Sequence, residues 1–354
     1  MKTPNEVLRD GQPPLISVQL PDFFVLFLAE TPPVNPHYAE VKQESEIRIF
    51  KQCPMDERAQ RILSKTNMSY FMSIIAPDAD ADRLRVMCDW GNWAFPYDDL
   101  FDTGEFKENP HRGRMMVEGV LHEMDKGIKG HPDFIYHPLV KFHNTIWERI
   151  VKNAPEGVQR RYAMKMADYV HAALIQVEVR FFGNTPTLEE VLAMRRNSSG
   201  LFPIFPMYEY AHGLHLPDYV FECPSVQKME LIAADLVVLQ NDMISYCKEE
   251  REGVNHNLVA VCRNSGMSAQ AAFDYLGDLL QVRYRSWYLA LADLPSWGNE
   301  IDAHVQNYLR GIANTVRANL NWSFSSTRYF GGAARQVRKT RRILVHQREA
   351  DVDL

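Results

Sequence analysis

No Cys-x-x-Cys pair occurs in this sequence, and its five cysteines (Cys53, Cys88, Cys223, Cys247 and Cys262) stand far apart. A zinc ribbon is thereby excluded, and an odd, scattered set is not the framework of a secreted disulfide scaffold. Long apolar runs are missing as well. The most apolar early stretch, Phe23 to Ala29, is far too short to cross a bilayer, and the opening MKTPNEVLRDGQPPL has no apolar core of the signal-peptide kind. These absences predict a cytoplasmic protein without membrane insertion. Nor is positive charge in excess: 39 Lys and Arg face 45 Asp and Glu, for a formal net charge of −6. Nothing global draws such a chain to nucleic acid, so an anionic ligand has to be held by local chemistry. Sustained strand-like alternation, internal repeats and low-complexity linkers are also lacking.

What is present is apolar material enough for a core. Hydrophobic residues fill 46% of 354 positions and charged residues 24%, the balance of a globular protein and not of a disordered one. Proline punctuates the N-terminal stretch (Pro13, Pro14, Pro21, Pro32, Pro33, Pro36), which is therefore expected to wrap a domain instead of forming its core. From about Ser45 onward apolar residues recur at helical intervals, as in Phe142, Ile146, Trp147, Ile150 and in Leu236, Val237, Leu239, Met243. Helix breaks are predicted at Gly130–Pro132, Gly183–Pro186, Gly200–Pro206, Leu216–Asp218 and Gly253–Asn255. Thr187, ahead of Glu190, reads as a capping-box start. An all-α fold in a single large domain is the expectation.

Two acidic constellations stand out. The first is Asp98-Asp99-Leu100-Phe101-Asp102, preceded by the aromatic run Trp90 to Tyr97. Residues four apart share a helix face, so Asp98 and Asp102 present two carboxylates in one direction and call for a cation between them. Oxygen ligands suit Mg²⁺, which binds one or two carboxylates together with substrate phosphates. An exposed acidic helix end is the alternative, and Pro96 is expected to disturb the helix just before the motif. The second constellation runs from Asn241 to Glu249. Asn241, Ser245 and Glu249 follow i, i+4, i+8 and drift by only about 80° around a helix, so three oxygen-bearing side chains line one stripe. Turned inward, that stripe needs a partner such as a hard cation; turned to solvent, it needs none.

In this order along the chain, the two constellations resemble those of the class I terpene cyclases, specifically the fungal, basidiomycete-type sesquiterpene synthases. Further stretches carry the same resemblance: Asn35-Pro36-His37-Tyr38, Trp90 to Phe95, Arg195-Arg196-Asn197-Ser198-Ser199-Gly200, Pro217-Asp218, His256-Asn257 and Arg328-Tyr329. The similarity implies a helical bundle around a central active-site cavity over residues 21–335, flanked by a flexible segment at 1–20 and a basic tail at 336–354. It implies metal ligation by Asp98, by Asp102, and by Asn241, Ser245 and Glu249, with Asp99 paired to an arginine. The diphosphate-sensing residue is Arg195 or Arg196. The Arg-x-x-Ser-Gly spacing favours Arg196, with Ser199 and Gly200 as its helix-break partners, whereas counting back from Asn241 favours Arg195.

The activity implied is the Mg²⁺-dependent ionisation of farnesyl diphosphate, with three ions around the diphosphate, and cyclisation to a sesquiterpene. Lys248, Arg195 or Arg196, and Arg328 would add fixed positive charge, and the Tyr329 phenol a hydrogen bond. Phe95, one turn before Asp98, and Trp322 are the first candidates to shield the carbocation, followed by Trp93, Phe71 and Tyr70. A small-molecule isoprenoid diphosphate is thus the expected partner, and a homodimer is compatible with it. Competing readings are a chain-elongating prenyltransferase, which would carry a second Asp-rich motif where this chain has Asn, Ser and Glu, and a cyclase of geranyl or geranylgeranyl diphosphate. A non-catalytic helical binding protein would not need its Asn241, Ser245, Glu249, Arg328 and Tyr329 intact. Asp78, Asp80 and Asp82 invite a phosphatase reading that ordinary helix capping explains, and they lack the Asp-Asp pair of a protonation-initiated cyclase. His212 with His215, or His137 with His143, lack further ligands at zinc spacing.

Overall fold

The computed structural model describes residues 13–102, 104–125, 127–181, 187–254 and 256–352. In chain order β1 (Leu15–Gln19) leads to α1 (Tyr38–Gln52), α2 (Glu57–Thr66), α3 (Met68–Ile75), α4 (Ala81–Asp102), α5 (Pro110–Leu121), the short α6 (Pro132–Ile135), α7 (Pro138–Asn153) and α8 (Glu156–Phe181). Then follow α9 (Leu188–Ser198), α10 (Ile204–His212), the short α11 (Asp218–Phe221), α12 (Pro224–Glu252), α13 (Leu258–Asn264), α14 (Ala269–Ala292), α15 (Asn299–Ser325), α16 (Ala334–Thr340) and β2 (Arg342–His346). The fold is the all-α one expected. Among the described residues no helix is long and apolar enough to cross a membrane.

Local chemistry sets most of these boundaries. Thr187 and Glu190 close the reciprocal capping box that starts α9. Gly253 ends α12 at φ 70°, a left-handed conformation open to glycine without a side-chain clash. Pro206 falls inside α10 instead of in the preceding break. It sits in the first turn, where a backbone N–H has no helical acceptor to lose. Pro96 likewise lies within α4, which continues through to Asp102. The predicted break at Gly183–Pro186 and the residue Asn255 lie outside the described residues.

The centre of the bundle is α12, whose residues from Val226 to Tyr246 are buried nearly all round. A helix apolar on every side belongs in a core, and α12 has α9, α13, α14 and α15 against it. On the other side of the cavity described below, α4 packs on α1, α3, α7 and α8. The proline-rich stretch wraps as its composition suggests: Phe27 stacks on Trp287 with centroids 5.3 Å apart, and its carbonyl accepts Arg317 Nε at 2.7 Å.

Both flanking segments differ from expectation. Leu15–Gln19 is no flexible lead, because it pairs antiparallel with Arg342–His346, from Leu15 opposite His346 to Gln19 opposite Arg342. Val18, Ile343 and Val345 bury their side chains, and this alternation is what the scan for longer strands overlooks. The basic stretch is held equally firmly. Arg338 lies 4.0 Å over the ring of Phe24, and Arg348 donates to Asn264 Oδ1 at 2.8 Å.

Candidate active site

The last turn of α4 delivers Asp98, Asp99 and Asp102 to a cavity that also receives Arg195 and the Ser198–Leu201 segment, Asn241 and Glu249 from α12, and Trp322, Arg328 and Tyr329 from the end of α15 and beyond. Carboxylates at a helix C-terminus face the negative end of its dipole, an arrangement that costs stability unless a cation compensates. Asp98 accepts a hydrogen bond of 2.5 Å from the Tyr169 hydroxyl. Burial raises its pKa well above the usual carboxylate range; the Tyr169 bond opposes that shift, and Asp102 and Asp99 add to it. Asp99 is also raised by burial, against the pull of Arg328 and then Lys248. Asp99 thus has the charge of Arg328 in its field.

On α12 two members of the stripe, Asn241 and Glu249, line the cavity, while Ser245 between them does not. Asn241 Nδ2 donates to the Tyr329 hydroxyl at 2.9 Å, Ser245 is fully buried, and Glu249 lines the cavity. The Asn257 amide joins the last two, reaching Glu249 Oε2 at 2.8 Å and Ser245 Oγ at 3.4 Å.

Consecutive residues on a helix point about 100° apart, so the adjacent arginines of α9 cannot both face the cavity. Arg195 does. Its Nη2 donates to Asp242 Oδ1 at 2.7 Å and more distantly to Asn241 Oδ1 at 3.4 Å, while its buried Nε has no partner. Burial works against the charged guanidinium, yet Asp242 and then Glu249 raise its pKa further. Arg196 turns away from the cavity to Asp235, at 2.5 and 3.2 Å, and Asp235 also accepts Arg283 Nε at 2.5 Å. Of the two candidates, Arg195 lines the cavity and Arg196 does not. The helix break itself stands as read: Gly200 adopts φ +69°, and a Cβ there would come within 3.3 Å of Trp90 and 3.4 Å of Tyr169.

Arg328 lies with its guanidinium carbon 4.6 Å from the Phe95 ring centroid. Lys248 is not among the cavity-lining residues; it pairs with Glu252 at 2.5 Å on the next turn of α12. Trp322 donates its indole N–H to the Thr66 carbonyl at 2.5 Å and meets Phe71, Phe95 and Tyr329 at centroid distances of 5.9, 5.8 and 5.7 Å. Phe71, Phe95 and Trp322 all line the cavity. Trp93 and Tyr70 do not: Trp93 stacks on Tyr97 behind the wall, and Tyr70 sits edge-on to Tyr38. Sequence reasoning missed Tyr169, Trp90 as a wall residue, and Asp242. Only Asp242, next to Asn241, carried a signal that could have been followed.

The phosphatase and zinc readings find no geometry among the described residues. Asp80 accepts the Arg83 N–H at 2.9 Å as an ordinary cap, and Asp78 pairs with Arg310 at 3.3 Å. His143 is buried between Trp93 and Tyr162, and His212 stacks on Tyr208. No three His, Cys, Asp or Glu side chains gather as a metal-holding group among the described residues. What converges on the cavity is a set of oxygen donors, the carboxylates of Asp98, Asp99, Asp102 and Glu249 with the amide of Asn241, suited to a hard cation that keeps part of its water. Asp98, held by the Tyr169 hydroxyl at the cavity wall, fits that demand.

A family model described as terpene synthase family 2, C-terminal metal binding, matches residues 89–286. The chain is 37% identical over 332 residues to silphinene synthase of Penicillium patulum, covering 92% of this chain and 89% of that protein. It is 36% identical over 316 residues to (+)-eremophilene synthase of Gibberella fujikuroi, covering 89% and 88%. Among solved structures, α-eudesmol synthase matches at a TM-score of 0.73 and 20% identity, over 84% of this chain and 97% of that one, a likeness of fold alone.

Proposed function

This chain belongs to the terpene synthase family, lyases that act on diphosphates, and from that premise we propose that it ionises farnesyl diphosphate and steers the cation to a cyclic sesquiterpene. One observation carries the reading. The acidic ends of α4 and α12 meet Arg195, Arg328 and Tyr329 in a single cavity, and that same cavity is walled by Phe71, Phe95 and Trp322.

Ionisation breaks a C–O bond, leaving an allylic cation and a diphosphate anion, so the barrier is charge separation. Asp98, Asp102, Asn241, Ser245 and Glu249 would hold Mg²⁺, three ions with the diphosphate, and bound there the ions would supply Lewis-acid stabilisation of the leaving anion. Arg195 and Arg328 supply fixed positive charge to the diphosphate oxygens, with Lys248 adding charge from nearby. Because the Tyr329 hydroxyl accepts from Asn241, its own proton is available to donate. Phe71, Phe95 and Trp322 offer rings worth about 0.5–2 kcal/mol each to a nearby cation without acting as nucleophiles. They also keep water out, so the cation ends by losing a proton, and one substrate gives one hydrocarbon and one diphosphate.

Incubating the purified protein with geranyl, farnesyl and geranylgeranyl diphosphates, with and without Mg²⁺, tests this by mass spectrometry of the volatiles and by assay of released diphosphate. Farnesyl diphosphate should give a cyclic sesquiterpene only with Mg²⁺. A lengthened prenyl diphosphate made with isopentenyl diphosphate, or no volatile from the farnesyl substrate, would overturn the proposal. Glu249→Ala should abolish product and leave the helical circular dichroism intact; near-normal turnover would remove Glu249 from the ligand set.

A further inference from the structure

Asn257 stands between α12 and α13, buried, and the two ends of its amide do different work. Its Oδ1 accepts the backbone N–H groups of Val259 at 2.8 Å and Ala260 at 3.4 Å, which caps α13. Only an oxygen can face two donors, so the orientation of the amide is determined and its nitrogen must point the other way. That nitrogen looks back onto α12. It lies 2.8 Å from the Asp242 carbonyl, 2.8 Å from Glu249 Oε2 and 3.4 Å from Ser245 Oγ.

We propose that Asn257 is a positioning residue for metal binding, clamping Ser245 and Glu249 in the orientation from which they ligate; the inference rests on reading those two residues as ligands. Two features favour it. Glu249 sits in the last turn of α12, where a long side chain has many rotamers, and a donor on one carboxylate oxygen removes most of them. A buried helical serine tends to donate its hydroxyl proton back to the carbonyl four residues earlier, and an amide N–H directed at the oxygen restricts its rotation further. The same loop grips Asp242, whose Oδ2 accepts the Leu258 N–H at 2.8 Å while its Oδ1 holds Arg195. The start of α13 therefore serves both the stripe of α12 and the arginine beside it. Outer partners of this kind typically alter metal affinity by about 10- to 100-fold.

Asn257→Ser and Asn257→Thr separate the two functions, because each keeps an oxygen for the cap and loses the amide donor. The readout is the rise in melting temperature when Mg²⁺ is titrated in the presence of inorganic diphosphate, with the Mg²⁺ dependence of farnesyl diphosphate turnover measured beside it. The expected result is a melting temperature near wild type without metal and a half-saturating Mg²⁺ concentration raised about 10- to 100-fold in both assays. A lowered melting temperature with unchanged half-saturation, in whichever of the two variants folds, would reduce Asn257 to a cap and overturn the proposal. A wild-type protein that does not respond to Mg²⁺ with diphosphate would refute the ligand reading itself, and the clamp with it.

Discussion

At the scale of single residues, the adjacent arginines give the sharpest test. Arg195 lines the cavity, and Arg196 is bound to Asp235 outside it. Arg195→Lys should lower kcat by about 10²- to 10³-fold, the usual cost of one misplaced donor to a developing anion. Arg196→Gln should lower the melting temperature and leave kcat within a few-fold of wild type. Equal kinetic losses, measured on farnesyl diphosphate, would refute the assignment. Trp322→Leu should change the product distribution or raise the share of alcohols, and leave Mg²⁺ dependence alone; an unchanged product profile would make Trp322 simple packing. The stripe of Asn241, Ser245 and Glu249 was legible because three oxygen-bearing side chains recur at i, i+4, i+8 on one helix. The two arginines could not be told apart, because the two spacing counts disagree and neither registers the 100° turn between neighbours. Tyr169 could not have been found at all, as a lone tyrosine in an amphipathic helix has no periodic signature.

Whole elements show where local signals suffice and where they fail. Capping chemistry fixed the start of α9, and a glycine fixed the end of α12, since both depend on a few neighbouring residues. The pairing of β1 with β2 depends on partners at opposite extremes of the sequence, and each strand is only five residues long, too short for its alternation to stand out. That sheet does more than cover an edge. Glu250, next to Glu249 on α12, accepts the His346 N–H at 3.0 Å and pairs with Arg263 at 2.9 Å. Arg263, wholly buried, also pairs with Asp351 at 2.6 Å, and Asp351 accepts the Ala269 N–H at the start of α14. Asp351→Ala should therefore cost about 3–5 kcal/mol, the price of leaving a buried guanidinium short of a partner. Urea unfolding measures it; a loss under about 1 kcal/mol, the range of a surface ion pair, would show that the pair is solvated.

For the molecule as a whole, the buried polar groups set the response to acid. Burial holds His143 down at about 3, against 6.5 for an ordinary imidazole. Between those values the unfolded chain takes up a proton that the native protein refuses, so native stability is complete above about 6.5 and is lost as pH falls. This group contributes up to about 1.4 kcal/mol per pH unit within that window. Between pH 7.5 and 5 the urea midpoint of the wild type should shift downward relative to that of His143→Phe, a difference that sets the imidazole apart from buried carboxylates such as Asp98 and Asp99, whose raised pKa works the other way. Parallel curves would show that the imidazole is protonated in place. Fold class was readable at this scale from composition and period alone, whereas the cavity was not, because it exists only where α4, α12 and the segment after α15 converge.

The strand pair has a kinetic consequence. A nascent polypeptide emerges in order, and Leu15–Gln19 must wait, an open edge, until Arg342–His346 has left the ribosome more than three hundred residues later. Closing so long a loop adds to contact order, the quantity that slows folding. The helix bearing Glu249 thus acquires its outer brace only once Arg342–His346 has emerged, and until then the enzyme's second acidic wall is complete in sequence but unsupported in space.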